Sequence, residues 1–128
     1  MKKTLINQQE EFAPTPNLNL TSKKGLQVLG ILKRKVESKL FPGSFSYLIK
    51  VEETNAPTTL YNKEIKAPEE VDIVPGDSVW LKGTTVLNNA FSVIAEGTKI
   101  EVVYTGKGEA KPGRKPAYLF DVFQVEAD

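Results

Sequence analysis

From Leu26 onward the chain alternates. Leu26, Val28, Gly30 and Leu32 fall on one side of an extended segment, and Gln27, Leu29, Ile31 and Lys33 on the other. This is the period of two that a strand with one buried face imposes. Gly30, in the middle of the run, predicts a bulge or tight bend. After a Pro42-Gly43 turn the alternation returns, with Phe45, Tyr47, Ile49 and Val51 set against Ser46, Leu48 and Lys50. A hairpin is the expected result. A Pro75-Gly76-Asp77 turn launches a third short strand, Val79 to Gly83, and two further β-patterned runs cover 98–105 and 117–125. Between the third run and the fourth, Thr84 to Ala95 predicts a short helical or looped cap that Thr84-Thr85 would start, although Asn88, Asn89 and the β-branched residues favour a helix little. Residues 54–57 read as a turn, Thr58 to Ile65 as an extra strand or irregular excursion, and Pro68 to Asp72 as an acidic connection. Residues 1–22 carry Leu5, Ile6, Phe12, Leu18 and Leu20 at no consistent period. They read as an arm that docks in part.

The order is therefore strand, strand, strand, short helix, strand, strand. It predicts an all-β fold, a five-stranded OB-type Greek-key barrel with one short helix and an N-terminal arm. The arm covers 1–22 and the binding domain 23–128. Small barrels of this plan bind oligonucleotides or oligosaccharides.

Composition narrows the chemistry. The 128 residues include no cysteine and no histidine, which removes disulfides, thiolate chemistry and the commonest general base and metal ligand. The carboxylates are scattered with no convergent spacing, so a non-enzyme without metal or cofactor is expected. No apolar run has the length of a signal peptide or a membrane span, and a cytoplasmic protein without membrane contact is the expectation. Net charge is only +1, but residues 1–50 hold nine Lys/Arg against three Asp/Glu, and residues 51–128 hold eight against thirteen. One basic and one acidic surface follow.

Three groups of residues carry candidate chemistry. Strict alternation in Ser78-Val79-Trp80-Leu81-Lys82 turns Val79 and Leu81 inward and puts Trp80, the only tryptophan, beside Ser78 and Lys82. An indole beside a cation suits base stacking with a phosphate nearby; cover by the arm or by the 58–65 segment is the alternative. Lys33, Arg34, Lys35, Lys39, Phe41 and Lys50 gather cations and one aromatic ring on the first strand, the following loop and the second strand. Such cations neutralise phosphates, or else discourage edge-to-edge pairing. The loop from Gly106 to Pro116 carries Lys107, Lys111, Arg114 and Lys115 against Glu109 on a Gly/Pro frame. It reads as a basic finger over a ligand or as a solubilising hairpin. Phe45, Tyr47, Tyr104, Phe120 and Phe123 read as core by their alternation, while Tyr61 and Tyr118 stay open.

The runs Val-Pro-Gly-Asp-Ser-Val-Trp-Leu-Lys-Gly (74–83), Glu-Gly-Thr-Lys-Ile-Glu-Val-Val-Tyr-Thr-Gly-Lys-Gly (96–108) and Tyr-Leu-Phe-Asp-Val-Phe (118–123) resemble the C-terminal halves of small OB-fold single-stranded DNA-binding proteins of bacteriophages. The resemblance implies sequence-tolerant binding of single-stranded DNA in replication or recombination. It also adds Tyr104 and Lys107 to Lys82 and the loop cations as site candidates. The acidic C-terminal tail of many such proteins has no counterpart beyond Val125-Glu126-Ala127-Asp128. RNA is the open alternative to DNA, and a homo-oligomer or a replication-protein partner is expected. A different class stands beside this one: a structural or adaptor module that binds a protein partner, with the arm adding to a neighbour's sheet. Carbohydrate binding would leave the loop cations without a role.

Overall fold

Alternation along Leu26–Leu32 and Phe45–Val51 needs a partner surface, and the fold supplies it by gathering the inward side chains of one sheet into a single buried cluster. The computed structural model describes residues 15–109 and 111–126. In it the strands are β1 (Asn17–Leu18), β2 (Gln27–Glu37), β3 (Phe45–Thr54), β4 (Thr58–Asn62), β5 (Ala67–Val71), β6 (Ser78–Lys82), β7 (Lys99–Lys107) and β8 (Tyr118–Gln124). They form one mixed eight-stranded sheet in the order β5-β4-β1-β6-β3-β2-β7-β8, in which only β1 and β6 run parallel. Among the described residues the one α-helix, α1 (Thr85–Phe91), joins β6 to β7, and a 3-10 turn occupies Leu20–Ser22.

The all-β class expected from the sequence is what the sheet has. The five expected strands are present as β2, β3, β6, β7 and β8, and three more extend the sheet. The 58–65 segment supplies β4, and the stretch expected as an acidic connection supplies β5. Two residues of the expected arm supply β1, which takes the edge of β6 that faces away from β3. Strand β8 pairs with β7 alone, so β6 and β8 do not pair with each other. No helix among the described residues is long and apolar enough to cross a membrane.

The alternation holds at the predicted core positions. Val28, Leu32, Tyr47, Ile49, Val51, Val79, Leu81, Ile100 and Val102 are buried on the inner face. Leu18 and Leu20, from the expected arm, are buried with them at 5% and 2% exposure. Helix α1 covers one end of this core with Leu87 and Phe91. Its start is capped as the Thr-Thr pair suggested, since the Thr84 hydroxyl accepts a hydrogen bond from the Leu87 amide at 3.3 Å. The Tyr47 ring packs 4.3 Å from that of Phe91 at a tilt of 50°, a favourable aromatic arrangement. Phe123 departs from expectation. Its register opposite Glu101 turns it to the outer face, where it is 49% exposed, while Phe120 takes the inner position.

Two bulges set the faces of β2. Leu29 pairs with Glu53 but Gly30 pairs with Val51, so Glu52 is the extra residue on β3. Leu32 pairs with Ile49 but Arg34 with Leu48, which makes Lys33 the extra residue on β2. An inserted residue reverses the side that later residues face. The second bulge therefore decides which of the three consecutive cations points outward.

Candidate functional site

On the outer face, β6 presents Ser78, Trp80 and Lys82, and β3 presents Ser46, Leu48 and Lys50. Trp80 lies directly across from Leu48 on β3, and Leu48 across from Arg34 on β2. On the other side Trp80 lies across from Asn17 of β1. The row thus reads Arg34–Leu48–Trp80–Asn17, with both Leu48 and Trp80 half-buried. Lys82, across from Ser46, flanks it on one side, and Lys50, across from Ser78, on the other. Diagonal neighbours in a sheet lie about 7–8 Å apart, within reach of long side chains. Among the described residues the only ion pair is Lys99–Glu52, at 2.9 Å. Arg34, Lys50 and Lys82 are exposed and pair with no carboxylate among the described residues.

Lys35 does not join this face. The bulge at Lys33 aligns it with buried Tyr47, and its ammonium donates to the Phe91 carbonyl at 2.5 Å, at the end of α1. Its amide donates to the Glu96 carboxylate at 2.8 Å. A cation on the last carbonyls of a helix satisfies an orphan acceptor and complements the helix dipole, so Lys35 braces the end of α1. Lys33 itself is exposed.

Lys39 and Phe41 lie in the β2–β3 loop, at the Lys82 end of the row. The loop is ordered by bonds of its own: the Ser38 amide donates to the Ser44 carbonyl at 2.8 Å, the Phe41 amide to the Ser38 hydroxyl at 3.2 Å and the Gly43 amide to the Glu37 carboxylate at 2.8 Å. Leu40 and Phe41 stand out from it at 84% and 69% exposure. The β7–β8 loop holds Lys111, Arg114 and Lys115 exposed. Its base is closed by the Gly108 amide on the Ala117 carbonyl at 2.8 Å.

Tyr104 is a correction. It is 4% exposed and packed between Tyr118, at 6.0 Å, and Phe120, at 5.3 Å, so it belongs to the core, as its own alternation indicated. The aromatic ring available here is Tyr118, 38% exposed, with the Lys107 ammonium 5.6 Å from the ring centre. The sequence signal for Tyr118 was its place on the inner face of β8 at the foot of a basic loop.

Charge is segregated along β3. Its far end, beyond the Lys50 position, contributes Glu52 and Glu53 to a cleft of about 380 Å3 that Glu70 and Asp72 also line. A phosphate is attracted at the Arg34–Lys82 end and repelled at this one. Searches among family models, curated proteins and solved structures find no match to this chain.

Proposed function

We propose that this protein binds single-stranded DNA without catalysis and with little sequence preference. In this reading the strands β6-β3-β2-β7-β8, with α1 between β6 and β7, are an OB-type Greek-key barrel. Their order and connectivity support it; the seam lies between β6 and β8. The observation that carries the reading is the row Arg34–Leu48–Trp80 between Lys50 and Lys82. It holds one large ring on a polar face with three cations around it, none neutralised by a described acid.

Trp80 stacks on a base. Arg34, Lys50 and Lys82 hold the flanking phosphates, and Lys33, Lys39 and the loop residues Lys111, Arg114 and Lys115 extend the track. Phe41, on a loop whose own hydrogen bonds hold it out, is the second stacking ring. A stacked base contributes about 1–3 kcal/mol, so Trp80→Ala should weaken binding about 5- to 150-fold. Because Trp80 is the only tryptophan, its fluorescence reads the site directly. Titration with an unlabelled single-stranded oligonucleotide should quench it at low salt and less so as salt rises. No change at any salt would remove Trp80 from a binding role.

The adaptor reading keeps one specific support. β1 is an extended segment added to the edge of β6, and the outer edge of β8 has no partner among the described residues, which is the geometry that strand addition uses.

A further inference from the structure

Where β6 and β8 fail to pair, a cavity of about 290 Å3 opens between Leu18–Thr21, Leu81–Thr84 and the start of β8. We propose that it receives one unstacked base of the bound strand, an inference that rests on the single-strand reading above. The floor is apolar and buried: Leu18, Leu20, Leu81 and Phe120 are 2% to 8% exposed. Tyr118 stands at the rim with an accessible ring, and Lys107 lies over it. Lys82 opens onto the mouth, two residues along β6 from Trp80.

Shape and charge select this occupant. The volume is at the small end of ligand pockets, which run from roughly 300 to 1,000 Å3, and suits one planar ring system rather than a stacked pair. Among the described residues no carboxylate lines the cavity, while Lys82 lines its mouth and Lys107 lies over the Tyr118 ring at its rim. An apolar slot inside a cationic rim fits a flat base whose phosphate stays outside. A single strand offers such a base cheaply, because no pairing has to be broken to extrude it. Trp80 and Lys82 are about 7 Å apart along the strand, so a chain stacked on the indole passes the mouth within the next nucleotides.

The test uses the full chain with 13C-labelled leucine methyl groups and Trp80 fluorescence read on the same samples. Adding a short oligothymidine should quench Trp80 and move the Leu18, Leu20 and Leu81 methyl signals upfield by ring current. An abasic oligomer of equal length should leave those methyls in place. Thr21→Phe, at an exposed rim position, should abolish the methyl shifts and weaken binding about ten-fold, the loss of one stacked base. Trp80 quenching without methyl shifts would overturn the cavity proposal and leave the single-strand reading standing. Methyl shifts that survive Thr21→Phe would also overturn it. Shifts produced by concentrating the protein alone would give the cavity to a side chain of a second copy. With neither signal, the single-strand reading fails and the cavity proposal with it.

Discussion

Gly30→Ala isolates a close approach of two paired backbones in the sheet. Gly30 lies in β2 beside the first bulge, buried against β3. A methyl group there would stand inside van der Waals contact of the Lys50 carbonyl oxygen, and 3.0 Å from both the Lys50 carbonyl carbon and the Ile49 Cγ2. Two of these atoms are backbone in the paired strand, so no rotamer change relieves the overlap. The strands must separate where β2 carries both β3 and β7. Overpacking of this kind costs about 1–3 kcal/mol. The stiffer unfolded chain returns only about 0.4–1 kcal/mol. With no soft neighbour to yield, the upper part of the range applies, and a net loss of about 2 kcal/mol is expected. For a domain of this size that lowers Tm by roughly 8 °C. Gly108→Ala is the matched control, since its nearest neighbour would be the Leu119 Cδ1 at 3.6 Å, an ordinary contact, and its effect should stay within about 0.5 kcal/mol. Thermal and urea unfolding by circular dichroism measure both. Equal stabilities for the two variants would refute the account of Gly30.

Tyr47→Phe removes the hydrogen bond that the phenol donates to Asn88 Oδ1 at 2.7 Å and should cost about 1 kcal/mol at neutral pH. Burial pushes the Tyr47 pKa above its usual 10.0, so the folded state holds its proton longer than the unfolded chain. The stability linked to that proton is complete below about pH 10 and lost as pH rises through the shifted value, so the wild-type advantage over Tyr47→Phe in urea unfolding should shrink there; an advantage constant with pH would contradict this. Removing residues 1–22 strips Leu18 and Leu20 from the core, at about 1.5–3 kcal/mol each, and should depress Tm sharply in thermal unfolding. Because that loss confounds any readout of assembly, the adaptor reading is tested by removing residues 1–14 and following the oligomeric state of the product in sedimentation.

The strands with one buried and one wet face were legible because burial forces a period of two on their residues. β5 was not legible. It reads Ala-Pro-Glu-Glu-Val, with no apolar alternation, because an edge strand buries little and tolerates a proline without a ladder donor. β1 is two residues long, too short to show any period. The direction of Lys35 was not legible for a different reason: simple alternation through Lys33-Arg34-Lys35 breaks at the bulge, where β2 also makes backbone bonds to the 95–98 turn. Leu32 donates to the Thr98 carbonyl at 2.9 Å, and the Gly97 amide to the Leu32 carbonyl at 2.6 Å. Those partners, Gly97 and Thr98, lie 65 and 66 residues along the chain from Leu32, beyond any local pattern. Tyr104 entered the candidate site by resemblance while its own alternation placed it inside, and the geometry follows the alternation. For Trp80 the same rule worked unaided, because no bulge interrupts β6.

β1 links the fold to the candidate face. The Trp80 amide donates to the Pro16 carbonyl at 2.9 Å, so the segment that leads into β1 also fixes the backbone that carries the indole. The half-burial of Trp80 between Leu48 and Asn17 limits its rotamers before any ligand arrives, which lowers the ordering cost of stacking. It also leaves less ring to cover, so one base rather than several is the natural load. The charge pattern agrees with a small footprint. Three cations border the row, and for single strands each neutralised phosphate contributes about 0.7 to the slope of log K against log salt. These three alone give a slope near −2, which is modest. Glu52, Glu53, Glu70 and Asp72, gathered at the other end of β3, would repel the phosphates of a strand extended in that direction. On the proposed reading, a near-neutral protein carries a local phosphate track: the cations around the row attract, and the acidic end of β3 limits the direction in which a strand would leave.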